Sequence, residues 1–343
     1  MSAGAHSYAE QVRDAAVEAA SRSQVTTIDT APAGVPVRIH LVGKALAEEL
    51  APGLLASPDR ADQPVIELWA VDRAGSGCVP PPPPWSTSDY LQGNAVAGWT
   101  EQPRLAIFDH EHATLSIADT DAGIGVYWLR DVAGIAPWDG GAPLQSLLRW
   151  TLARHGAHLL HAAVVGTDDG GVLLAGAGGS GKSTSALAAL SAGMRFVADD
   201  YCLVRVGRQP TAHPIFAIAK AHADSLALVG GLDERVHGAR LDWRGKARLQ
   251  IADIVTHELP LRAVVLPRVA ERTGPLTRVA TTAALREVAV STVFQLAGDQ
   301  ATTLAALRAL TSQLPVFSLE VGPDLPRVID RLTEAANGSV AVA

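Results

Sequence analysis

The segment GVLLAGAGGSGKS, residues 171–183, decides the fold of this 343-residue chain. Its apolar run VLLA (172–175) predicts a buried strand, and the following run KSTSALAALSAG (182–193) favours a helix. The residues between them fit the pattern G-x-x-x-x-G-K-[ST]. Strand, loop and helix in this order are the setting in which that pattern binds phosphate groups, so the segment predicts an α/β domain with a nucleotide site.

The residue types in this loop suit phosphate chemistry. Small residues let the backbone curl so that N–H groups face the phosphate oxygens, and the following helix turns its positive end toward the same anion. Lys182 supplies a mobile cation for the β- and γ-phosphates, and the Ser183 hydroxyl is a Mg²⁺ ligand. We therefore expect the nucleotide to be bound by Gly176, Ala177, Gly178, Gly179, Ser180, Gly181, Lys182, Ser183 and Thr184.

A second segment, GMRFVADD (193–200), predicts a strand that ends in two carboxylates, Asp199 and Asp200. In phosphate-loop proteins an acid at the end of a neighbouring strand holds Mg²⁺ directly or through water. Two adjacent acids can divide the work, one serving the metal while the other accepts a proton from an attacking hydroxyl. The residues alone leave open which aspartate does which, and a pair of solvated turn acids is the simpler alternative.

Three features in this order carry a resemblance: His161 in HLLHAAVVG (158–166), the phosphate loop, and RFVADD (195–200). They resemble the catalytic domain of HPr kinase/phosphorylase, a bacterial protein-serine kinase family distantly related to phosphoenolpyruvate carboxykinase. The resemblance implies a P-loop HPr-kinase-like catalytic domain over residues 151–343. It also implies ATP and Mg²⁺ as cofactors and phosphoryl transfer to a hydroxyl, the serine of a peptide or small protein.

The same resemblance implies roles for individual residues. Asp199 is expected to be the general base, with Lys182 acting on the phosphates. Ser183 and Asp200 are expected to hold Mg²⁺. His161 is expected to orient Asp199 or the reacting phosphate, although a lone histidine in an apolar run is more often a core residue. Self-association into a homo-oligomer is implied as well, because family members often form rings.

Two departures from the family pattern narrow these expectations. The bifunctional enzymes usually carry an acid where this chain has Thr184. Their E-[IV]-R-G-x-G-type signature is missing at its usual distance, and the nearest candidate is DWRGKAR (242–248). The chain therefore resembles the broad set of HPr-kinase-like proteins, which includes kinases of lasso-peptide precursors. A kinase of a small-molecule hydroxyl and a non-catalytic, nucleotide-dependent regulator remain as alternatives.

Composition excludes other classes of protein. The net charge of −7 and the pI of about 5.9 argue against nucleic-acid and acidic-membrane partners. No run of about 20 apolar residues is present to span a membrane, and two cysteines make no disulfide framework. A cytoplasmic protein is the expectation. Of 28 basic residues only four are lysines, namely Lys44, Lys182, Lys220 and Lys246.

Residues 1–150 are expected to form a mixed α+β domain of unknown role. Its predicted helices cover 8–22, the run 45–56 as far as Pro52, and 143–156, and its predicted strands cover 25–30, 35–43, 65–72 and an antiparallel meander over 104–131. The proline run 80–84 favours a stiff spacer over a ligand for a proline-binding partner. His110 and His112 suit a solvated strand end better than a zinc site, because no further ligand lies nearby in sequence.

The remaining elements complete the second domain. Strands are predicted over 158–166, 213–220, 259–269 and 315–321, and helices over 281–292, 300–313 and 325–336. Lys220 follows one of these strands. Lys246, with Arg244 and Arg248 at alternate positions, would present three cations on one face of a strand. These cations either reach a phosphate or an acidic substrate, or form a solvated basic strand end.

Overall fold

A computed structural model describes residues 7–57, 63–236, 241, 245–293 and 298–340 of the chain. The chain divides into two compact units, the first made of residues 1–155 and 296–300, the second of 156–295 and 301–343. Each unit combines helices with a mixed sheet, which agrees with the α/β class predicted from the phosphate loop. In the described part of the chain, no helix has both the length and the apolar character needed to cross a membrane.

The first unit is built on one mixed sheet. Its helices are α1 (Tyr8–Ala20), α2 (Lys44–Leu50), α3 (Arg73–Ser76) and α4 (Gln145–Ala153). Its strands are β1 (Val25–Thr30), β2 (Val37–Val42), β3 (Ile66–Asp72), β4 (Ala95–Glu101), β5 (Arg104–Asp109), β6 (Thr114–Asp119) and β7 (Ile124–Leu129). The order across the sheet is β1-β2-β3-β7-β6-β5-β4, and β2, β3 and β7 are parallel neighbours. The other neighbouring pairs are antiparallel, so the predicted meander of β5, β6 and β7 is confirmed.

Helix α1 shows how the sequence builds this unit. Ser7 and Glu10 form a capping box, in which each side chain accepts a hydrogen bond from the other residue's backbone N–H. The buried positions Val12, Ala16 and Ala19 recur at helical spacing and pack in the same core cluster as the sheet residues. Tyr8 is buried as well, and its hydroxyl donates to the carbonyl of Pro81 at 2.9 Å. The proline run is thus tied to its own unit.

The second unit contains the glycine-rich segment 176–183, which follows a strand of its main sheet. Its helices are α5 (Lys182–Ser191), α6 (Ala223–Val229), α7 (Thr281–Thr292), α8 (Gln300–Gln313) and α9 (Leu325–Ala336), the first residue of α8 being counted with the first unit. Its strands are β8 (Ala157–Leu160), β9 (Ala163–Thr167), β10 (Gly170–Leu174), β11 (Arg195–Ala198), β12 (Cys202–Arg205), β13 (Thr211–His213), β14 (Ile218–His222), β15 (Lys246–Gln250), β16 (Leu259–Val269), β17 (Thr277–Arg278) and β18 (Val316–Val321). The main sheet runs β11-β9-β10-β16-β13-β12-β8, with β18 beside β16 and β17 beside β18. Strands β14 and β15 form a separate two-stranded sheet.

Two strand predictions in this unit are wrong in extent. The run 158–166 forms two strands because it serves two regions of the sheet: β8 pairs with β12, whereas β9 pairs with β10 and β11. His161 lies in the break between them rather than on a strand. The run 213–220 is also divided, since β13 ends just before Pro214, which has no backbone N–H to donate to a sheet ladder.

Most of the remaining predictions are confirmed, with shifts of a few residues. Strands β1 and β16 and helices α7, α8 and α9 have the predicted bounds. Helix α4 begins at Gln145 because Leu144, placed inside the helix by its apolar spacing, adopts a left-handed conformation with φ of 56°. Strand β4 was missed, and its pairing with β5 is interrupted by a register shift between Ala95 and Thr100. A broken ladder of this kind leaves no clean alternation in the sequence.

Candidate active site

The glycine-rich loop connects β10 to α5, as its pattern predicts. Gly176, Gly179 and Gly181 all have positive φ, of 148°, 80° and 97°. Side chains other than hydrogen are strained in this region, and a Cβ on Gly176 would lie 3.1 Å from Ser180 Oγ. The loop therefore needs glycine at these positions to close on itself. The exposed residues 177–179 form its rim, and Gly181 is the N-cap of α5.

Lys182 lies inside this loop. Its Nζ donates to the carbonyl oxygens of Gly176 at 2.6 Å and Ala177 at 3.1 Å, and the residue is buried. Burial lowers the pKa of the ammonium, although the charges of Asp200 and Asp199 act in the opposite direction. A cation enclosed by a loop at a helix N-terminus is a suitable partner for a phosphate group.

The other loop side chains have different surroundings. Ser180 Oγ is buried and has no hydrogen-bond partner in the described structure. Thr184, which the sequence placed among the nucleotide-binding residues, has its hydroxyl 3.0 Å from Ser225 Oγ on α6. Ser183 is partly exposed at the first turn of α5, and its hydroxyl lowers the pKa of Asp199.

The sheet topology explains why the predicted residues meet. Strand β9 is antiparallel to both β10 and β11, so β10 and β11 point in the same direction and end at the same edge. The glycine-rich loop follows the end of β10, and Asp199 and Asp200 follow the end of β11. His161 precedes the start of β9, which lies at this same edge. The sequence predicted an acid on a neighbouring strand; the acids are one strand further away, with β9 between.

Asp199 is the buried member of the carboxylate pair, with 2% of its surface exposed. Its Oδ2 accepts a hydrogen bond of 2.9 Å from the backbone N–H of Lys220, whereas its buried Oδ1 has no hydrogen-bond partner within 3.5 Å, although the Ser183 hydroxyl lies near the carboxyl and lowers its pKa. Burial raises the pKa of Asp199, and the charge of Asp200 raises it further. The hydrogen bond from Lys220 only partly offsets this rise, so Asp199 is a stronger base than an exposed aspartate.

Asp200 has the opposite electrostatic environment. Its Oδ1 lies 2.9 Å from Nε2 of His161, and its Oδ2 lies 3.5 Å from Nζ of Lys220. Burial raises the pKa of Asp200, but the hydrogen bond with His161 and the charge of Lys220 outweigh it, so the net pKa is well below its usual range. Asp200 is therefore a fixed anion, and Asp199 is the carboxylate able to take up a proton. His161 contacts Asp200, whereas the sequence left open Asp199 or the phosphate as its partner.

A basic ribbon formed by β14 and β15 faces this pair. The register places Lys220 opposite Arg248 and His222 opposite Lys246, so these four residues share one face of the ribbon. The alternate positions are buried apolar residues, Ala219, Ala221, Ala247 and Leu249. The charge of Lys246 lowers the pKa values of both aspartates and of Lys182, which is expected of a nearby cation.

Lys220 is the residue whose importance the sequence understated. Lys182, Lys220 and Lys246 come together at one edge of the second unit, which makes three of the four lysines in the chain. The fourth, Lys44, lies on α2 in the first unit with 73% of its side chain exposed. The only sign of this cluster in the sequence was that lysine is rare in the chain. The positions of the lysines along the sequence do not indicate that three of them lie close together in the fold.

Several residues that the sequence analysis singled out lie away from the glycine-rich loop and the two aspartates. Arg195, part of the family pattern, sits at the far end of β11 and pairs with the exposed Asp168 at 2.6 Å. His112 pairs with Asp109 at 2.8 Å in the first unit. No group of three or more His, Cys, Asp or Glu side chains among the described residues is arranged to hold a metal ion by itself. Arg244 lies outside the described residues.

The donor set at the site nevertheless fits Mg²⁺ bound together with phosphate. Magnesium prefers oxygen ligands and usually keeps several waters, taking only one or two carboxylates from the protein. The Ser183 hydroxyl is such an oxygen, and Asp200 offers a carboxylate beside it. Both oxygens of Asp200 already have neighbours, Nε2 of His161 and Nζ of Lys220, but a carboxylate has about four lone-pair sites and can still accept from a metal-bound water.

Comparisons with known proteins add little to this site. No protein-family model matches the chain, and curated proteins give no significant match. Among solved structures, the HPr(Ser) kinase/phosphatase from Coxiella burnetii matches at 14% sequence identity with a TM-score of 0.27, over 51% of this chain and 94% of that chain. A TM-score of this size does not carry a functional assignment, which therefore has to come from the residues of the site.

Proposed function

We propose that this protein is a Mg²⁺–ATP-dependent phosphotransferase that acts on a hydroxyl group. The observation that carries the proposal is Asp199, a buried carboxylate at the same sheet edge as the phosphate loop, with one oxygen fixed by Lys220 and the other unpartnered. A protein that only binds a nucleotide does not need a buried base of raised pKa at this place. A phosphotransferase needs one to take the proton of its acceptor.

Nucleotide binding is assigned to residues 176–183. The backbone N–H groups of the loop and of the first turn of α5 would hold the phosphate oxygens, since the first N–H groups of a helix have no partner within it. Lys182 would exchange its loop carbonyls for the β- and γ-phosphates. Ser183 and Asp200 would hold Mg²⁺, which when bound neutralises charge on the phosphate oxygens.

The transfer step is assigned to Asp199. Its Oδ1 takes the proton of the acceptor hydroxyl while the acceptor oxygen bonds to the γ-phosphorus and the bond from that phosphorus to ADP breaks. Asp200 stays ionised beside His161 and Lys220, so its negative charge keeps the basicity of Asp199 high. Lys182 and Lys246 supply positive charge that stabilises the phosphoryl group in the transition state of transfer.

The acceptor we propose is the serine of a peptide or small protein. Its support is the order of His161, phosphate loop and RFVADD along the chain, which resembles protein-serine kinases of the HPr-kinase-like type. A free amino acid or sugar is the competing acceptor, and a regulator without transfer is the competing function.

One experiment separates these cases. The full chain is incubated with Mg²⁺ and ATP labelled in the γ-phosphate, together with serine-containing peptides or with free serine and sugars. We expect label on the peptide serine, identified by mass spectrometry. Label on a small molecule alone overturns the proposed acceptor, and tight nucleotide binding without any labelled hydroxyl overturns the proposed function.

A further inference from the structure

We propose that Lys220 is the positioning residue that holds both site carboxylates, Asp199 through its backbone and Asp200 through its ammonium. The role in transfer rests on the proposed function. The contacts themselves do not depend on it. Lys220 touches no reacting atom in this assignment and acts only through the two aspartates.

Lys220 contacts each of the two aspartates through a different group. The N–H of Lys220 donates to Asp199 Oδ2 at 2.9 Å, and its Nζ lies 3.5 Å from Asp200 Oδ2. Lys220 is 6% exposed, so its charge has left bulk water and needs an anion beside it. Strand β14 pairs with β15 in the separate ribbon, and Lys220 thus links that ribbon to the edge of the main sheet.

The contacts of Lys220 offset the repulsion between the two neighbouring aspartates. Two consecutive aspartates repel each other, and without a cation one of them would turn away or take up a proton. Lys220 and His161 each approach a different oxygen of Asp200, which fixes the rotation of that carboxylate. The hydrogen bond from the Lys220 N–H occupies Oδ2 of Asp199, so Oδ1 is the oxygen that remains for the acceptor hydroxyl. Together, the hydrogen bond to Asp199 and the ion pair with Asp200 keep Asp199 Oδ1 available at the sheet edge from which the glycine-rich loop extends.

The division between backbone and side chain makes the inference testable. Replacing the Lys220 side chain removes the contact with Asp200 and leaves the N–H for Asp199 in place. Lys220→Met keeps most of the apolar stem and deletes the charge, and Lys220→Arg restores a charge. The matched control is Lys44→Met, which deletes the exposed lysine of the first unit.

The kinetic readout separates positioning from folding and binding. Because a displacement of about 1 Å at a catalytic group can cost about 100-fold in rate, we expect Lys220→Met to lower kcat by about 10- to 100-fold. The KM for ATP should change less than about threefold, and Lys220→Arg should recover part of kcat. A variant with normal kcat overturns the inference, as does one in which KM for ATP rises while kcat is kept.

Nuclear magnetic resonance tests the contact without any activity. A chain labelled with ¹⁵N only in lysine contains four labelled ammonium groups, and the signal lost in Lys220→Arg belongs to Lys220. We expect Asp200→Asn to shift or broaden that signal and to leave the Lys44 signal unchanged. An unchanged Lys220 signal overturns the contact. A wild-type chain that binds ATP but transfers nothing overturns the proposed function instead, and the contact is then decided by this measurement.

Discussion

Asp199→Asn probes the proposed base with little change in shape. Asparagine has the size of aspartate and still offers a carbonyl oxygen to the N–H of Lys220, which now binds Oδ2 at 2.9 Å. What it loses is the ability to take up a proton. A general base contributes about 10²- to 10⁴-fold to a rate, equivalent to about 3–5 kcal/mol at 1.36 kcal/mol per factor of ten. We therefore expect kcat to fall by that factor.

The stability and the ATP affinity of Asp199→Asn should not decrease along with kcat. The pKa of Asp199 is raised in the folded chain by burial and by Asp200. As pH rises, the unfolded chain therefore releases this proton first, so the ionised carboxylate destabilises the folded state at neutral pH. Asparagine removes that penalty, and the midpoint of thermal unfolding should stay level or rise. Loss of a negative charge near the triphosphate should leave the Kd for ATP within about threefold or tighten it.

The assay combines three measurements on the same preparation. Label transfer gives kcat, calorimetry gives the Kd for ATP, and thermal unfolding gives stability. The control is Asp168→Asn, which changes an exposed aspartate in the turn between β9 and β10 that pairs with Arg195. If Asp199→Asn keeps a tenth or more of the wild-type kcat, Asp199 is not the base. If its Kd for ATP rises with kcat unchanged, Asp199 belongs to the binding machinery.

Three further predictions concern the loop and the two units. Gly181→Ala forces a Cβ onto a residue with φ of 97°, at about 1–2 kcal/mol, so urea unfolding should show a free energy of unfolding lower by that amount; an unchanged stability would mean that residue 181 does not keep this conformation. Cys78 and Cys202 are buried, with pKa values raised to about 11 and about 12; a thiol reagent at pH 8 should therefore modify neither in the folded chain and both in denaturant, and rapid modification of either would contradict its placement. Tyr8→Phe removes the hydrogen bond to Pro81 and should cost about 1 kcal/mol in urea unfolding of the chain; no change in the midpoint would show that the proline run is not held there.

The sequence predicted those parts of the site that local pattern determines. Glycine at positive φ, a lysine at the helix start and a strand ending in acids are all readable along the chain, and the loop of residues 176–183 has the expected strand and helix on its two sides. Helix α9 was predicted to the residue because a buried face repeats along it, and β16 because its residues 263–267 form a continuous buried run.

What the sequence missed depends on partners far apart in the chain. Lys220 meets Asp199 and Asp200 because β14 is brought to the end of β11, and nothing in the local run 213–220 signals that approach. The split of HLLHAAVVG into β8 and β9 is likewise decided by which strands lie beside them. The opposite pKa shifts of the two aspartates follow from burial and from Lys220 and His161, so residue type alone could not assign their roles.

The most direct test of the central claim is whether residues 176–183 hold the phosphates of a nucleotide. Calorimetry with Mg²⁺ and a non-hydrolysable ATP analogue is performed on the wild-type chain, on Lys182→Ala and on the control Lys44→Ala. Hydrogen bonds to a charged group contribute about 1.5–3 kcal/mol, so we predict about 10- to 100-fold weaker binding for Lys182→Ala and wild-type affinity for Lys44→Ala. Equal affinity in all three chains, or no binding in the wild type, would contradict the account.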